Sequence, residues 1–165
     1  MADNLALRKT LVFLARLAVL SLPLYLVLAF GLDLAAMQVA AASHTNFVLG
    51  LLGFQTEQHG ALSVAGKGGD SFVYVISADS SGWKSMLFFA ALVVAVPAIG
   101  WRKRAIGIAI GLVVIWFGNV ARAVSIVLAE YAYGYEFAMA LHDLLWRLGL
   151  VALVLAVWLA WLFLI

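Results

Sequence analysis

The 165-residue sequence predicts an all-α integral membrane protein with about four transmembrane helices, an outer interfacial helix and a short β-hairpin. Three observations carry this. The chain is 67% hydrophobic and only 11% charged, far from ordinary globular usage. Its apolar residues gather into runs near the length of about 20 that crosses about 30 Å of hydrocarbon. Its basic residues cluster at the N-terminus and at Arg102-Lys103-Arg104, as cytoplasmic ends of spans do. A chain this short holds a few spans in one transmembrane domain, residues 1–165, and no separate soluble domain.

Residues 5–30 form the first span, with Arg8, Lys9 and Arg16 toward its front, so the N-terminus is expected in the cytoplasm. Pro23 kinks this helix without ending it. The segment is too long, and lacks the small-residue cleavage site, to be a removable signal peptide. Residues 33–53 are milder and are interrupted by Gln38, Ser43, His44, Thr45 and Asn46, which suits a helix lying at the outer interface. Two short β-prone runs, Ala61 to Ala65 and Ser71 to Ser77, flank Gly66-Lys67-Gly68-Gly69-Asp70 and predict a hairpin. Residues 83–100 are the second span, residues 105–129 the third and residues 138–165 the fourth, with a tyrosine-rich loop from Glu130 to Glu136 between the last two. If the N-terminus and the Arg102 to Arg104 loop are both cytoplasmic, an even number of crossings separates them. Residues 33–53 should therefore not cross, and residues 31–82 and 130–137 lie outside.

Several classes are excluded by composition. The net charge of +2 comes from few charges, which act as topology signals and not as a nucleic-acid footprint. Cysteine is absent, which removes disulfides, thiolate metal sites and a native cysteine nucleophile. His44 and His59 have no carboxylate or histidine at ligand spacing, so no metal site is expected, nor any cofactor.

Polar residues inside apolar segments are the candidates for function. An arginine within a span costs a few kcal/mol and faces the bundle interior or water, which singles out Arg122; Asn119 shares its helix face at i−3. Arg122 follows Arg104 by eighteen residues, about 27 Å of helix at about 1.5 Å each, and so lies near the outer face. Ser80 sits just before the outer end of the second span and His142 just inside that of the fourth. The three are expected to converge in one cavity at the outer leaflet. The plainer alternative is that Arg122 snorkels to headgroups. Asp143 and Arg147, at i and i+4, read as an ion pair orienting the last helix.

Ser80-Ser81-Gly82 before a span, Asn119-x-x-Arg122 in the next, and His142-Asp143 at the head of the last resemble the archaeosortase/exosortase family, whose members carry Cys-Thr/Ser-Gly, Asn-x-x-Arg and His in that order. The resemblance covers roughly residues 50–150. It implies a membrane-embedded cysteine transpeptidase, multi-pass in the cytoplasmic membrane with its site facing out. Such an enzyme cleaves C-terminal sorting signals, each a motif, a transmembrane helix and a basic tail, from exported proteins and transfers them to a lipid or other acceptor nucleophile. On that resemblance the catalytic set is Ser80, Arg122 and His142, with Asn119, Gly82 and Asp143 in support. His142 is the general acid/base, and Arg122 stabilises a thiolate or oxyanion. The helix start beside Gly82 would offer backbone donors.

Serine stands where the family has cysteine. It is either an engineered replacement that traps an inactive enzyme, which the otherwise intact motif favours, or a natural serine variant or lapsed member. Two other classes remain open: an intramembrane serine hydrolase using Ser80 and His142, and a non-enzymatic membrane subunit or transporter with Arg122 as counter-ion.

Overall fold

The computed structural model describes residues 2–31 and 34–164, and of residues 2–6 the backbone alone. The start of the expected interfacial segment, at Asp33, and the end of the last span, at Ile165, lie outside the described residues. The chain forms two compact units, one of Met1–Leu32, Lys84–Ile115 and Val154–Ile165, the other of Asp33–Trp83 and Trp116–Leu153.

The first unit is helical. Helices α1 (Ala2–Leu20) and α2 (Leu22–Phe30) are separated only by Ser21, whose hydroxyl donates to the Leu17 carbonyl at 2.8 Å. The interruption sits two residues before Pro23, whose missing N–H and bulky ring disturb the preceding turn. The unit also contains most of α4 (Trp83–Ala95), the first part of α5 (Trp101–Tyr133) and most of α7 (Leu150–Leu164). Its core is Phe89, Leu92, Val93, Ile115, Val154 and Trp161. Two glycines of α5 make room for rings. A Cβ on Gly107 would stand 2.2 Å from Trp161 Nε1, and one on Gly111 would stand 2.1 Å from Phe89 Cε1, so neither position accepts a side chain without repacking.

Among the described residues, three stretches are long and apolar enough to cross a membrane: Leu7–Phe30, Trp101–Tyr133 and Tyr135–Leu164. The expected second span is shorter than its sequence suggests. Helix α4 has 13 residues, about 20 Å at about 1.5 Å each, against about 30 Å of hydrocarbon. It stops because Pro97 disfavours helical backbone at Val96, and Ala98 then turns back at φ 64°. The freed Val96 carbonyl accepts from Arg104 Nη2 at 2.7 Å.

The second unit carries a sheet. Strands β1 (Gln55–His59), β2 (Leu62–Lys67) and β3 (Asp70–Val75) pair antiparallel in that order. The expected hairpin is β2–β3, with Lys67 opposite Asp70. Its two loop residues, Gly68 and Gly69, both have positive φ, as the favoured hairpin turn requires. The extra strand β1 pairs Gln55 with Gly66 and His59 with Leu62.

Helix α3 (Ala35–Leu51) packs on this sheet; of the polar residues that suggested an aqueous interface, Ser43 and Asn46 bond strand side chains, while Ser43 and His44 are exposed. Buried Asn46 donates to Ser63 Oγ at 2.9 Å and to Gln58 Oε1 at 3.3 Å, and accepts from the Tyr74 hydroxyl. Burial pushes the Tyr74 phenol up, which keeps it a donor. Leu49, Phe54, Ala65, Val120, Val124 and Val127 form the adjoining core. The expected loop from Glu130 to Glu136 shrinks to Gly134 between α5 and α6 (Tyr135–Leu144). Gly134 closes α5 by donating to Glu130 O at 2.9 Å and turns at φ 84°, a geometry other residues resist.

Asn46→Ala should destabilise the protein by about 1–3 kcal/mol, because it removes the partner of buried Ser63 and half-buried Tyr74. Thermal unfolding in detergent micelles checks this, and a midpoint equal to that of the unsubstituted protein would remove the network from the account.

Candidate active site

The site begins where β3 releases the chain. Ile76 is pinned on both sides: its N–H donates to Ala61 O at 3.0 Å, and its carbonyl accepts from Gln38 Nε2 of α3 at 3.1 Å. The next residues fold into a tight turn because Ser77 can satisfy backbone as well as side chain. The Ser80 N–H donates to Ser77 O at 3.0 Å and to Ser77 Oγ at 3.2 Å, while the Ser77 hydroxyl donates to Ser80 Oγ at 3.0 Å. A single 3₁₀ turn, Asp79–Ser81, follows, with Ser81 buried and its hydroxyl bonded to Ala78 O at 2.8 Å.

Gly82 ends the turn at φ 88° and ψ −3°. Two constraints meet there. The left-handed backbone favours glycine, and a Cβ would stand 3.0 Å from Asn119 Cγ. Glycine therefore lets the Asn119 amide lie against the turn.

From α5, one face delivers two donors to one acceptor. Asn119 Nδ2 donates to the Ser80 carbonyl at 2.9 Å, and Arg122 Nη2 donates to the same oxygen at 3.1 Å. Both side chains are buried, Asn119 at 1% exposure and Arg122 at 6%. Arg122 thus turns inward and does not snorkel. The clamp leaves Asn119 Oδ1 and Arg122 Nε and Nη1 buried without a partner. Such orphaned groups are rare in native interiors and call for a cause.

Beside Arg122 lies a cavity of about 280 Å³, lined also by Gly118, Ala121, Ser125, Leu145 and Leu153. A Cβ on Gly118 would meet Leu153 Cδ2 at 2.4 Å, so glycine sets this close approach. The wall formed by Leu145 and Gly149 belongs to a five-residue π-helical turn, Leu145–Gly149, a form that often marks functional sites.

The third expected residue is placed differently. His142 lies on α6, with its side chain 29% exposed and its Nδ1 3.5 Å from Asp143 Oδ1, the outer limit of a hydrogen bond. Among the described residues it has no hydrogen bond to Ser80 or Arg122. Bonds therefore unite Ser80, Asn119, Arg122 and, through shape, Gly82, whereas His142 is tied only to Asp143. The contact to Ser80 also runs through its carbonyl and not its hydroxyl. The Asp143–Arg147 ion pair is corrected: the carboxylate's partner among the described residues is His142. The α-helical spacing that i, i+4 pairing needs stops at Leu144, where the π turn begins.

Ser77 was missed by motif reasoning, although its spacing of three residues before Ser80 is the signal of a serine turn. Among the described residues, no group of three or more histidine, cysteine, aspartate or glutamate side chains is arranged to hold a metal.

Comparison with known proteins adds one finding. The family model described as Transmembrane exosortase matches residues 5–162, nearly the whole chain. No curated protein and no solved structure matches. A match of that extent, over the segments that bring Asn119 and Arg122 onto the Ser80 turn, makes this chain a member of the transmembrane exosortase family.

Proposed function

We propose that this chain is a membrane cysteine-type transpeptidase fold with serine at the nucleophile position. It would act on exported proteins that end in a motif, a transmembrane helix and a basic tail, and pass them to a lipid or other acceptor. Family membership supports the general class, a membrane protease or transpeptidase. The observation that carries the finer reading is that Asn119 and Arg122 both spend a donor on the carbonyl of Ser80, the residue at the family's cysteine position.

The chemistry follows from what those groups hold in reserve. With cysteine at position 80, a thiolate beside the Arg122 cation is stabilised as a nucleophile. It attacks the scissile carbonyl, the amide nitrogen leaves with a proton, and a thioester remains for the acceptor to resolve. The unpartnered Arg122 Nε and Nη1 would be the donors to the oxyanion in both steps. His142 carries the protons, its Nδ1 oriented by Asp143 and its Nε2 exchanging with the leaving group and the acceptor. The cavity beside Arg122 takes the substrate side chain next to the cleaved bond. Serine lacks this route, because a hydroxyl needs a true base and Ser80 Oγ has the Ser77 hydroxyl as its partner. Processing by the Ser80 protein is accordingly absent or very slow.

Orientation follows from charge. The unit with Lys84–Ile115 holds seven of the ten basic residues and one acidic residue, Asp3, whereas the unit with Ser80 holds the other seven acidic residues. With the basic loop in the cytoplasm, four crossings place the site outside, with α4 and the turn after it completing the second crossing.

The cysteine-free chain allows two checks. Single cysteines in place of Ser71 and Tyr133 should react with an impermeant maleimide added to intact cells, and one in place of Arg102 should not; outside labelling at Arg102 would invert the topology. In the second check, Ser80→Cys should gain processing of a co-expressed cognate substrate. Adding Arg122→Ala should then lower the rate by about 10²-fold or more, the scale of one lost oxyanion donor. Robust processing by the Ser80 protein, blocked by a serine-directed phosphonate, would replace this reading with a serine hydrolase.

A further inference from the structure

The helical unit of Met1–Leu32, Lys84–Ile115 and Val154–Ile165 carries a second feature, independent of Ser80. A cavity of about 560 Å³ is lined by Arg16, Val19 and Leu20 of α1, by Val94 of α4, by Ala98 in the turn after it and by Arg104 of α5. Two permanent cations therefore line one hollow whose other walls are apolar. Arg104 spends Nη2 on the Val96 carbonyl at 2.7 Å, and its Nε is buried without a partner. Arg16 is exposed and makes no hydrogen bond or ion pair among the described residues.

Among the described residues of this unit no carboxylate side chain pairs with them. Its acidic complement is Asp3 alone, which precedes Arg16 by thirteen residues along α1, about 20 Å of helix. Like charges lining one cavity repel, and an anion between them relieves the repulsion, so the cavity favours an anionic ligand. Apolar walls beside a cationic mouth exclude a fully hydrated ion and match a headgroup that continues into hydrocarbon.

We infer that this cavity binds the phosphodiester of an anionic phospholipid, with Arg16 and Arg104 as its cationic partners and Val19, Leu20 and Val94 against the first carbons of the acyl chains. Basic pockets of this kind at the cytoplasmic edge of helices bind anionic headgroups, and Arg104 belongs to the basic stretch Arg102-Lys103-Arg104. A free phosphate offers the same charge without the apolar contact, and the two sources are separable.

The test uses the full chain, purified in detergent, stripped of lipid and titrated with dioleoyl phosphatidylglycerol, dioleoyl phosphatidylcholine or inorganic phosphate, with bound molecules counted by native mass spectrometry. Phosphatidylglycerol should be retained in preference to phosphatidylcholine, and millimolar phosphate should not displace it. Arg16→Gln and Arg104→Gln should each weaken phosphatidylglycerol about fivefold, the scale of one cation at a membrane surface, while Arg8→Gln should leave it unchanged. Because Arg104 also caps Val96, the exposed Arg16 is the decisive position. Equal retention of the two lipids, or equal loss with Arg8→Gln and Arg16→Gln, would overturn the site. Displacement by phosphate would assign the cavity to a free anion and overturn the lipid.

Discussion

Two side chains of one helix hold one carbonyl, that of Ser80, and the second unit is arranged so that they can. The magnitudes show why the contact has to be good. An arginine within a span costs about 2.5–3.5 kcal/mol on insertion scales, and a hydrogen bond from a charged donor returns about 1.5–3 kcal/mol. The Arg122 to Ser80 bond roughly offsets the insertion cost and no more. It leaves Nε and Nη1 buried and unsatisfied, a strain that structure alone gives no reason to keep. On the proposed reading, a substrate oxyanion beside Arg122 supplies the missing partner.

Every neighbouring feature serves that geometry. Gly82 keeps space clear for the Asn119 amide, and Ser77 fixes the turn that presents the Ser80 carbonyl. Gln38 and Ala61 hold the strand exit at Ile76. The sheet and α3 thus act as a frame for seven residues of turn. Their polar interior of Asn46, Ser63 and Tyr74 gives that frame directional bonds where apolar packing alone would allow it to slide.

Much of this was legible because burying charge is expensive. Arg122 stood out on cost alone and Asn119 as its i−3 neighbour, and Gly68-Gly69 announced the β2–β3 turn through its backbone freedom. Strand β1 was not legible: Gln-Thr-Glu-Gln-His has no apolar alternation, and it pairs because β2 offers an edge. The bonds from Ser43 and Asn46 to strand side chains were not legible, because sequence does not distinguish a headgroup from a neighbouring strand. The early end of α4 before Pro97 lay hidden in the apolar run of residues 83–100, which reads as one span. The Asp143–Arg147 pair failed because a π turn cannot be read from spacing. The position of His142, bonded to Asp143 and not to the turn, depends on packing between helices distant in sequence.

The central claim is that the Arg122 cation acts on whatever side chain occupies position 80. The most direct measurement is the pH dependence of alkylation of the Ser80→Cys protein by iodoacetamide, with and without Arg122→Gln. A thiol beside a buried cation should titrate clearly below the ordinary cysteine value of about 8.5, and Arg122→Gln should return it toward that value while the protein stays folded. A thiol that titrates near 8.5 in both proteins would contradict the account, because the clamp on the Ser80 carbonyl would then be structural only.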